Sequence, residues 1–313
     1  MEIVVALDNH FVYRSVFRTL EYTHLGRVRQ FERYKENLRC LFRSPTFHIQ
    51  SLKLNFSREN IYVLNSPLFA EETWAAANKG ISTIIMEEYF YKSRCRDEIV
   101  KFILRKFKSH PFIAMTKRTD LFLSESGLNS FLVPPATEKR RGRRTRDIIL
   151  FVGRMIESKN PFFILDLAKR LKNENFVMIG QGSLSDKIKE KARNQSNVKI
   201  IDSIDNERLF SDFYSRAKVV LHPARKDPIG FTMIEALSVS TPVLASASTG
   251  ASDYLPRAWV FNDYDLDRWA NGIKGINSED LSVARQIFEE EHLNINDKYF
   301  KSVAKSLRKS LTG

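Results

Sequence analysis

Lys226 to Leu237 reads KDPIGFTMIEAL, and the reading of the whole chain turns on this stretch. Asp227 precedes a tight Pro228–Ile229–Gly230 turn, and Glu235 follows eight residues after the first acid. Between them Phe231, Thr232, Met233 and Ile234 read as a loop entering a helix. A helix start has unpaired backbone N–H groups and the positive end of the dipole, which together seat a phosphate. An acid one turn into the helix can hold a ribose hydroxyl. An acid before the turn can face a sugar. The layout suits a nucleotide-sugar.

Upstream, Asp147 to Asn160 reads DIILFVGRMIESKN. Ile148 to Val152 is a short apolar run with β-branched residues, as expected of a buried parallel strand. Gly153 ends it, and Arg154 and Lys159 follow in the loop before a helix over Pro161 to Leu171. Two fixed cations beside a helix start can hold a diphosphate and stabilise it as it leaves. Phe176 to Leu184, FVMIGQGSL, is a strand ending in Gly180-x-Gly182. Asn197–Ile201, Lys218–Pro223 and Pro242–Ser246 read as three further strands. Alone, a Gly-x-Gly is a turn, two loop cations are solvated, and Glu235 is an ordinary helix residue. In this order they point to one site.

The same ordered elements, from Ile148 to Leu255, resemble the retaining glycosyltransferase family numbered four, the glycosyl transferases group 1. Its signature is acid-x7-acid, with an upstream Gly-Arg-(four)-Lys and a strand-Gly-x-Gly-x-Leu. The resemblance implies an α/β GT-B fold: two Rossmann-like domains facing across a cleft, with a C-terminal helix crossing back. It implies catalytic roles for Asp227, Arg154 and Lys159, the two cations gripping the donor pyrophosphate. It implies donor binding by Gly153, Gly180, Gly182, Gly230, Phe231, Thr232, Met233 and Glu235, with Glu235 on the ribose. It further implies a hexose transferred with retention from a UDP- or GDP-linked donor. No cofactor, no metal and no dependence on magnesium are expected. The chain departs from the pattern at Asp227, where the family has Glu; aspartate reaches about 1.5 Å less far. Ser240 and Thr249-Gly250 stand where glycine and a Gly-Gly pair are common.

A chain of 313 residues is long enough for two cores, and 43% hydrophobic with 28% charged residues describes a globular protein. The expected organisation is a short acceptor-side domain over 1–137, a basic linker over 138–147, a nucleotide-sugar domain over 148–290 and a C-terminal helix over 291–313 that packs on the first domain. In the first half, Met1–Leu7, Asn60–Leu64, Ile81–Met86 and Pro111–Thr116 read as strands. Gly26–Phe42, Glu71–Lys79 and Asp120–Ser126 read as helices; Arg285–Leu311 reads as helix, with Asp297–Leu311 the candidate for the helix that crosses back. Such alternation predicts parallel sheets. Asp8-Asn9-His10 occupies the place of the family's Gly-Gly loop, and Glu87-Glu88-Tyr89 the end of the Ile81 strand. Asn9, His10, Glu87 and Glu88 are therefore the acceptor-side candidates. The histidine common in that domain has no counterpart here.

The net charge of +13 is localised. Lys92–Arg118 holds nine basic against two acidic residues, and Glu138–Asp147 holds six against two, so these two patches supply +11. Ile99, Val100, Ile103, Leu104 and Phe107 fall on one face of a helix that also bears Lys101, Arg105, Lys106 and Lys108. Such a helix suits an anionic membrane surface carrying a lipid-linked glycan acceptor, or else a core-facing helix with a solvated basic face. No apolar run is long enough to span a membrane, and Met1–Leu7 lacks the plan of a signal peptide, so a cytoplasmic protein at the inner membrane surface is expected. Cys40 and Cys95 support neither a disulfide framework nor a metal site. Two other classes remain open. Basic patches fit nucleic acid, though EKRRGRRTRD has no aromatic to stack on a base. Asp227 and the reduced first domain also fit a non-catalytic nucleotide-sugar-binding protein.

Overall fold

The computed structural model describes residues 2–5, 14–24, 27–30, 61–65, 82–86, 101–102, 104–142, 146–291, 293–294 and 296–312. Two compact units result: Met1–Pro135 with Asn296–Gly313, and Ala136–Ile295. Each is built on a six-stranded parallel sheet.

The first unit contains β1 (Glu2–Val5), α1 (Arg14–Tyr22), β2 (Arg27–Gln30), β3 (Ile61–Asn65), β4 (Ser82–Met86), β5 (Phe112–Ala114), α2 (Lys117–Glu125) and β6 (Ser130–Leu132). The strands lie in the order β2-β1-β3-β4-β5-β6. The helix expected over Gly26–Phe42 is corrected at its start, because Arg27–Gln30 pairs in parallel with Glu2–Val5. Sheet pairing overrides a weak local helix preference; residues 31–42 lie outside the described residues, as does the helix expected over 71–79. Helix α1 was not expected, yet Val16, Thr19, Leu20 and Thr23 are buried at helical spacing. Helix α2 starts at Thr116, whose hydroxyl accepts from the Thr119 amide at 3.2 Å.

The second unit contains β7 (Ile148–Val152), α3 (Pro161–Arg170), β8 (Phe176–Ile179), α4 (Ser185–Ala192), β9 (Val198–Ile201), β10 (Ala217–His222), α5 (Phe231–Ser238), β11 (Val243–Ser246), β12 (Val260–Phe261), α6 (Leu266–Gly275) and α7 (Ser278–Glu290). Its order is β12-β11-β10-β7-β8-β9. Strands β8 and β11 are buried along their whole length, and β7 all but its last residue. Both faces are therefore covered, which is why these strands read as unbroken apolar runs. From β7 the chain winds to one side through β8 and β9, then returns to β10 and winds the other way. The sheet thus reverses between β7 and β10, where open α/β sheets form a ligand crevice beyond the strand ends.

The helical stretch expected over Arg285–Leu311 holds two helices, α7 and α8 (Asp297–Thr312), the second beginning at Asp297 as the reading of Asp297–Leu311 has it. Between them Leu293 is buried, and its carbonyl accepts from the Thr137 amide at 3.0 Å. Helix α8 belongs to the first unit: it packs on α1, and Tyr299 donates to the Leu132 carbonyl at 3.0 Å. The basic segment 138–147 lies inside the second unit and is not a free hinge. Arg146 is half-buried and donates to the carbonyls of Ala217 and Val239, each at 3.1 Å, and to the Thr241 hydroxyl. Arg140 lies 4.2 Å over the Phe210 ring. Residues 143–145 lie outside the described residues.

Candidate functional site

Three loops beyond the strand ends of the second unit are strapped together. Loop 153–160 follows β7, loop 223–230 follows β10, and loop 247–250 follows β11. The amides of Arg225 and Lys226 both donate to the Ser158 carbonyl, at 2.8 and 3.3 Å. Asp227 donates its amide to the Ser248 carbonyl at 3.3 Å and accepts from the Gly250 amide at 3.1 Å. Backbone bonds thereby hold the acid loop between its neighbours.

Lys159 ends a 3-10 turn, Glu157–Lys159. Asn160 follows in the left-handed region at φ 54, a conformation asparagine tolerates, and Pro161 opens α3. This sharp corner brings the ammonium of Lys159 onto Asp227 Oδ2, a half-buried ion pair. The same oxygen accepts from His222 Nε2–H at 2.9 Å, and Oδ1 accepts from the Gly230 amide at 3.2 Å. Burial alone would push this carboxyl up. The His222 hydrogen bond and the charges of His222 and Lys159 outweigh it and hold Asp227 well below the usual carboxylate range. The two residues read as cation and acid of one site are in direct contact. Arg154 stands exposed in the same loop, without an ion pair among the described residues.

Gly230 caps α5 at φ 82, and a Cβ there would come within 2.4 Å of the Thr249 methyl. Only glycine makes this turn. Thr249, one of the departures from the family pattern, packs on it with its hydroxyl buried. Phe231 and Thr232 are half-buried in the first turn of α5. Met233 takes another role: its side chain is buried in the core and its amide donates to the Gly230 carbonyl at 3.0 Å.

Glu235 is 7% exposed, and its Oε2 accepts from the Tyr214 hydroxyl at 2.6 Å. Burial pushes its carboxyl up to about 7, against the opposing hydrogen bond from Tyr214 and charge of Arg140. The glycines of Gly180-x-Gly182 serve the meeting of two loops. Gly153 donates its amide to Ile179 at 3.0 Å, and a Cβ on Gly180, at φ 140, would lie 2.0 Å from the Gly153 carbonyl oxygen. A Cβ on Gly182 would lie 2.4 Å from that of Met155.

Sequence reasoning missed His222 and Tyr214. His222 had a signal, a polar residue ending the apolar run AKVVLH five places before the acid. Tyr214 had none, since only packing brings it under α5. The acceptor-side candidates Asn9, His10, Glu87 and Glu88 lie outside the described residues. Lys101, Arg105, Lys106 and Lys108 lie in the first unit, where the helical segment gives way to turns at Lys106. The apolar stripe beside them is corrected in part: Leu104 and Phe107 are buried in a core with Phe112, Leu123 and Leu128. Phe102 is exposed, with Lys106 over its ring at 5.0 Å.

A separate cleft of about 540 Å³ opens at the opposite end of the second sheet, where β7, β8 and β9 begin. Neither Lys159, Asp227, His222 nor Glu235 lines it. Among the described residues no cluster of three or more His, Cys, Asp or Glu is placed to hold a metal, and no helix is long and apolar enough to cross a membrane.

Two doubly wound units, one with an acid-cation-helix site at its switch point, define the GT-B class of α/β proteins. Residues 136–290, within the second unit, match the family described as glycosyl transferases group 1. Solved structures of the same fold include Anabaena HepE in complex with UDP and glucose, at 12% identity and TM-score 0.70 over 99% of this chain and 100% of that one. A UDP-forming α,α-trehalose-phosphate synthase from Burkholderia xenovorans matches at 11% identity and TM-score 0.67, over 100% and 99%. A variant of S. aureus TarM, in complex with fondaparinux, α-GlcNAc-glycerol and UDP, matches at 16% and TM-score 0.63 over 84% of this chain. This chain spans 57% of that TarM chain. No curated protein sequence matches the chain.

Proposed function

We propose that the protein is a metal-independent glycosyltransferase that moves a hexose from a nucleoside-diphosphate sugar to an acceptor hydroxyl, with retention. The observation that carries this reading is the contact of Lys159 with Asp227 beside the start of α5, with Arg154 in the Lys159 loop beyond β7, in a unit that matches the group 1 family. The UDP complexes among structural relatives support a UDP-linked donor.

In the reaction the bond from the sugar's anomeric carbon to the diphosphate breaks, and a bond from that carbon to the acceptor oxygen forms. Negative charge collects on the departing diphosphate. Arg154 and Lys159 would neutralise it, each worth roughly 3 kcal/mol in the transition state. With retention in one step, acceptor and leaving group share a face of the sugar. The departing phosphate oxygen is then the nearest base for the acceptor's proton. Asp227 faces the sugar through Oδ1, and Glu235 supports the ribose end from within α5.

The acceptor in this reading is a lipid-linked or membrane-proximal glycan, and the protein works at the cytoplasmic face of a membrane. Lys101, Arg105, Lys106 and Lys108 support it. Leu104 and Phe107 are buried, so among the described residues these charges and the exposed Phe102 are what that surface offers a membrane.

The test is a thermal-shift panel of UDP-, GDP-, ADP- and dTDP-sugars, followed by donor turnover with Arg154→Ala. UDP-sugars should stabilise the protein, and the variant should lose a hundredfold or more in turnover while melting as wild type does. Absence of stabilisation by every nucleotide-sugar would overturn the reading.

A further inference from the structure

His222 closes β10 with a side chain only 5% exposed. Its Nε2 meets Asp227 Oδ2 at 2.9 Å and its Nδ1 lies 3.0 Å from Thr232 Oγ1. A carboxylate can only accept, so Nε2 carries the proton. With both nitrogens engaged the ring has one orientation, and it ties the acid loop to the first turn of α5. Lys159 reaches the same carboxylate oxygen from a different loop.

An ammonium on a flexible stem can change partners, whereas a buried imidazole held at both nitrogens cannot. When a diphosphate enters, Lys159 has a doubly charged partner within its own loop region and turns toward it. Asp227 Oδ2 then loses one of its two donors. A buried carboxylate left without a partner would be strongly disfavoured. What remains is His222 on Oδ2 and the Gly230 amide on Oδ1, which keeps one further lone pair for a sugar hydroxyl.

We propose that His222 is a positioning residue for the donor sugar: it holds the Asp227 carboxylate in place while Lys159 transfers to the donor diphosphate. This rests on the glycosyltransferase reading, and it divides that site into a mobile cation and a fixed imidazole. Thr232 is the second anchor of the ring, so the acid, the imidazole and the helix start move as one body.

The primary test needs no sugar. Ring-nitrogen NMR on histidine-labelled protein, assigned with His222→Gln, should show a His222 Nε2–H signal that shifts in Asp227→Asn. It should shift equally in a Lys159→Met background and persist when UDP is added. A His222 signal indifferent to Asp227→Asn, or lost on adding UDP, overturns the proposal. Calorimetry with UDP and UDP-glucose then reads selectivity. In His222→Leu the affinity for UDP should stay near wild type, while the ratio of UDP-glucose to UDP affinity falls about tenfold, as for loss of a hydrogen bond to a charged group. His222→Gln, whose amide N–H can still donate, should recover part of it. An unchanged ratio in a folded His222→Leu protein also overturns the proposal. If the wild type binds neither UDP nor UDP-glucose, the glycosyltransferase reading fails, and the NMR result alone decides whether His222 holds Asp227.

Discussion

Glu235→Gln should make the protein more stable at neutral pH, although it removes an acid from the candidate site. The carboxyl is buried against Tyr214 and its folded-state pKa is pushed up from 4.5 to about 7. Between those values the unfolded chain has released its proton and the folded chain has kept it. Stability contributed by this group is therefore fully present below pH 4.5 and is lost as pH rises toward 7. Raising the pKa that far corresponds to about 3 kcal/mol, most of it lost between pH 5 and pH 7. Glutamine keeps a carbonyl for the Tyr214 hydroxyl and has no proton to lose. The variant and wild type should unfold alike in urea near pH 4.5, and the variant should gain about 3 kcal/mol on the wild type by pH 8. Tryptophan fluorescence suits the assay, because Trp259 and Trp269 are buried in the second unit; a Trp74→Phe background removes the other reporter. A difference between variant and wild type that stays flat from pH 4.5 to 8 would refute the buried, proton-retaining carboxyl. In binding, the same variant should weaken UDP at pH 8, where the wild-type carboxyl is ionised and offers the ribose a charged acceptor.

Gly180→Ala places a methyl on the Gly153 carbonyl oxygen and should cost at least roughly 3 kcal/mol; an unchanged melting temperature would mean the two loops do not meet. Arg146→Met removes the guanidinium that holds the Ala217 and Val239 carbonyls and the Thr241 hydroxyl. It should lower the urea midpoint by the equivalent of about 2–4 kcal/mol, whereas a free linker arginine would leave it untouched. Replacing Lys101, Arg105, Lys106 and Lys108 together by Gln should abolish salt-sensitive binding to anionic vesicles, at about 1 kcal/mol for each charge. UDP binding should survive that change, and wild-type indifference to such vesicles at low salt would remove the membrane reading.

The strands of the second unit were legible because both faces of its sheet are covered, so Ile148–Val152 and Phe176–Ile179 are apolar without alternation. The acid turn was legible because Pro228 and Gly230 leave the backbone few choices, and Gly230 does adopt φ 82. Strand β2 was misread as helix because four residues at a sheet edge take their conformation from the neighbour they pair with. The start of α8 at Asp297 was legible, but where α7 stops was not. The break comes from Leu293 entering a core and receiving Thr137, a contact from far along the chain.

The sequence by itself determined which chemistries are present and in what order: two cations after one strand, and two acids around one helix start. Local backbone preference and spacing along the chain are enough for that. Only the tertiary structure decided what each group touches. Lys159 is paired with Asp227, Glu235 is buried under Tyr214, and His222 joins the site at all, because three loops from strands distant in sequence meet at one end of the sheet. Charge on a side chain is a local property. Its partner, its burial and hence its proton affinity depend on residues that only folding brings together.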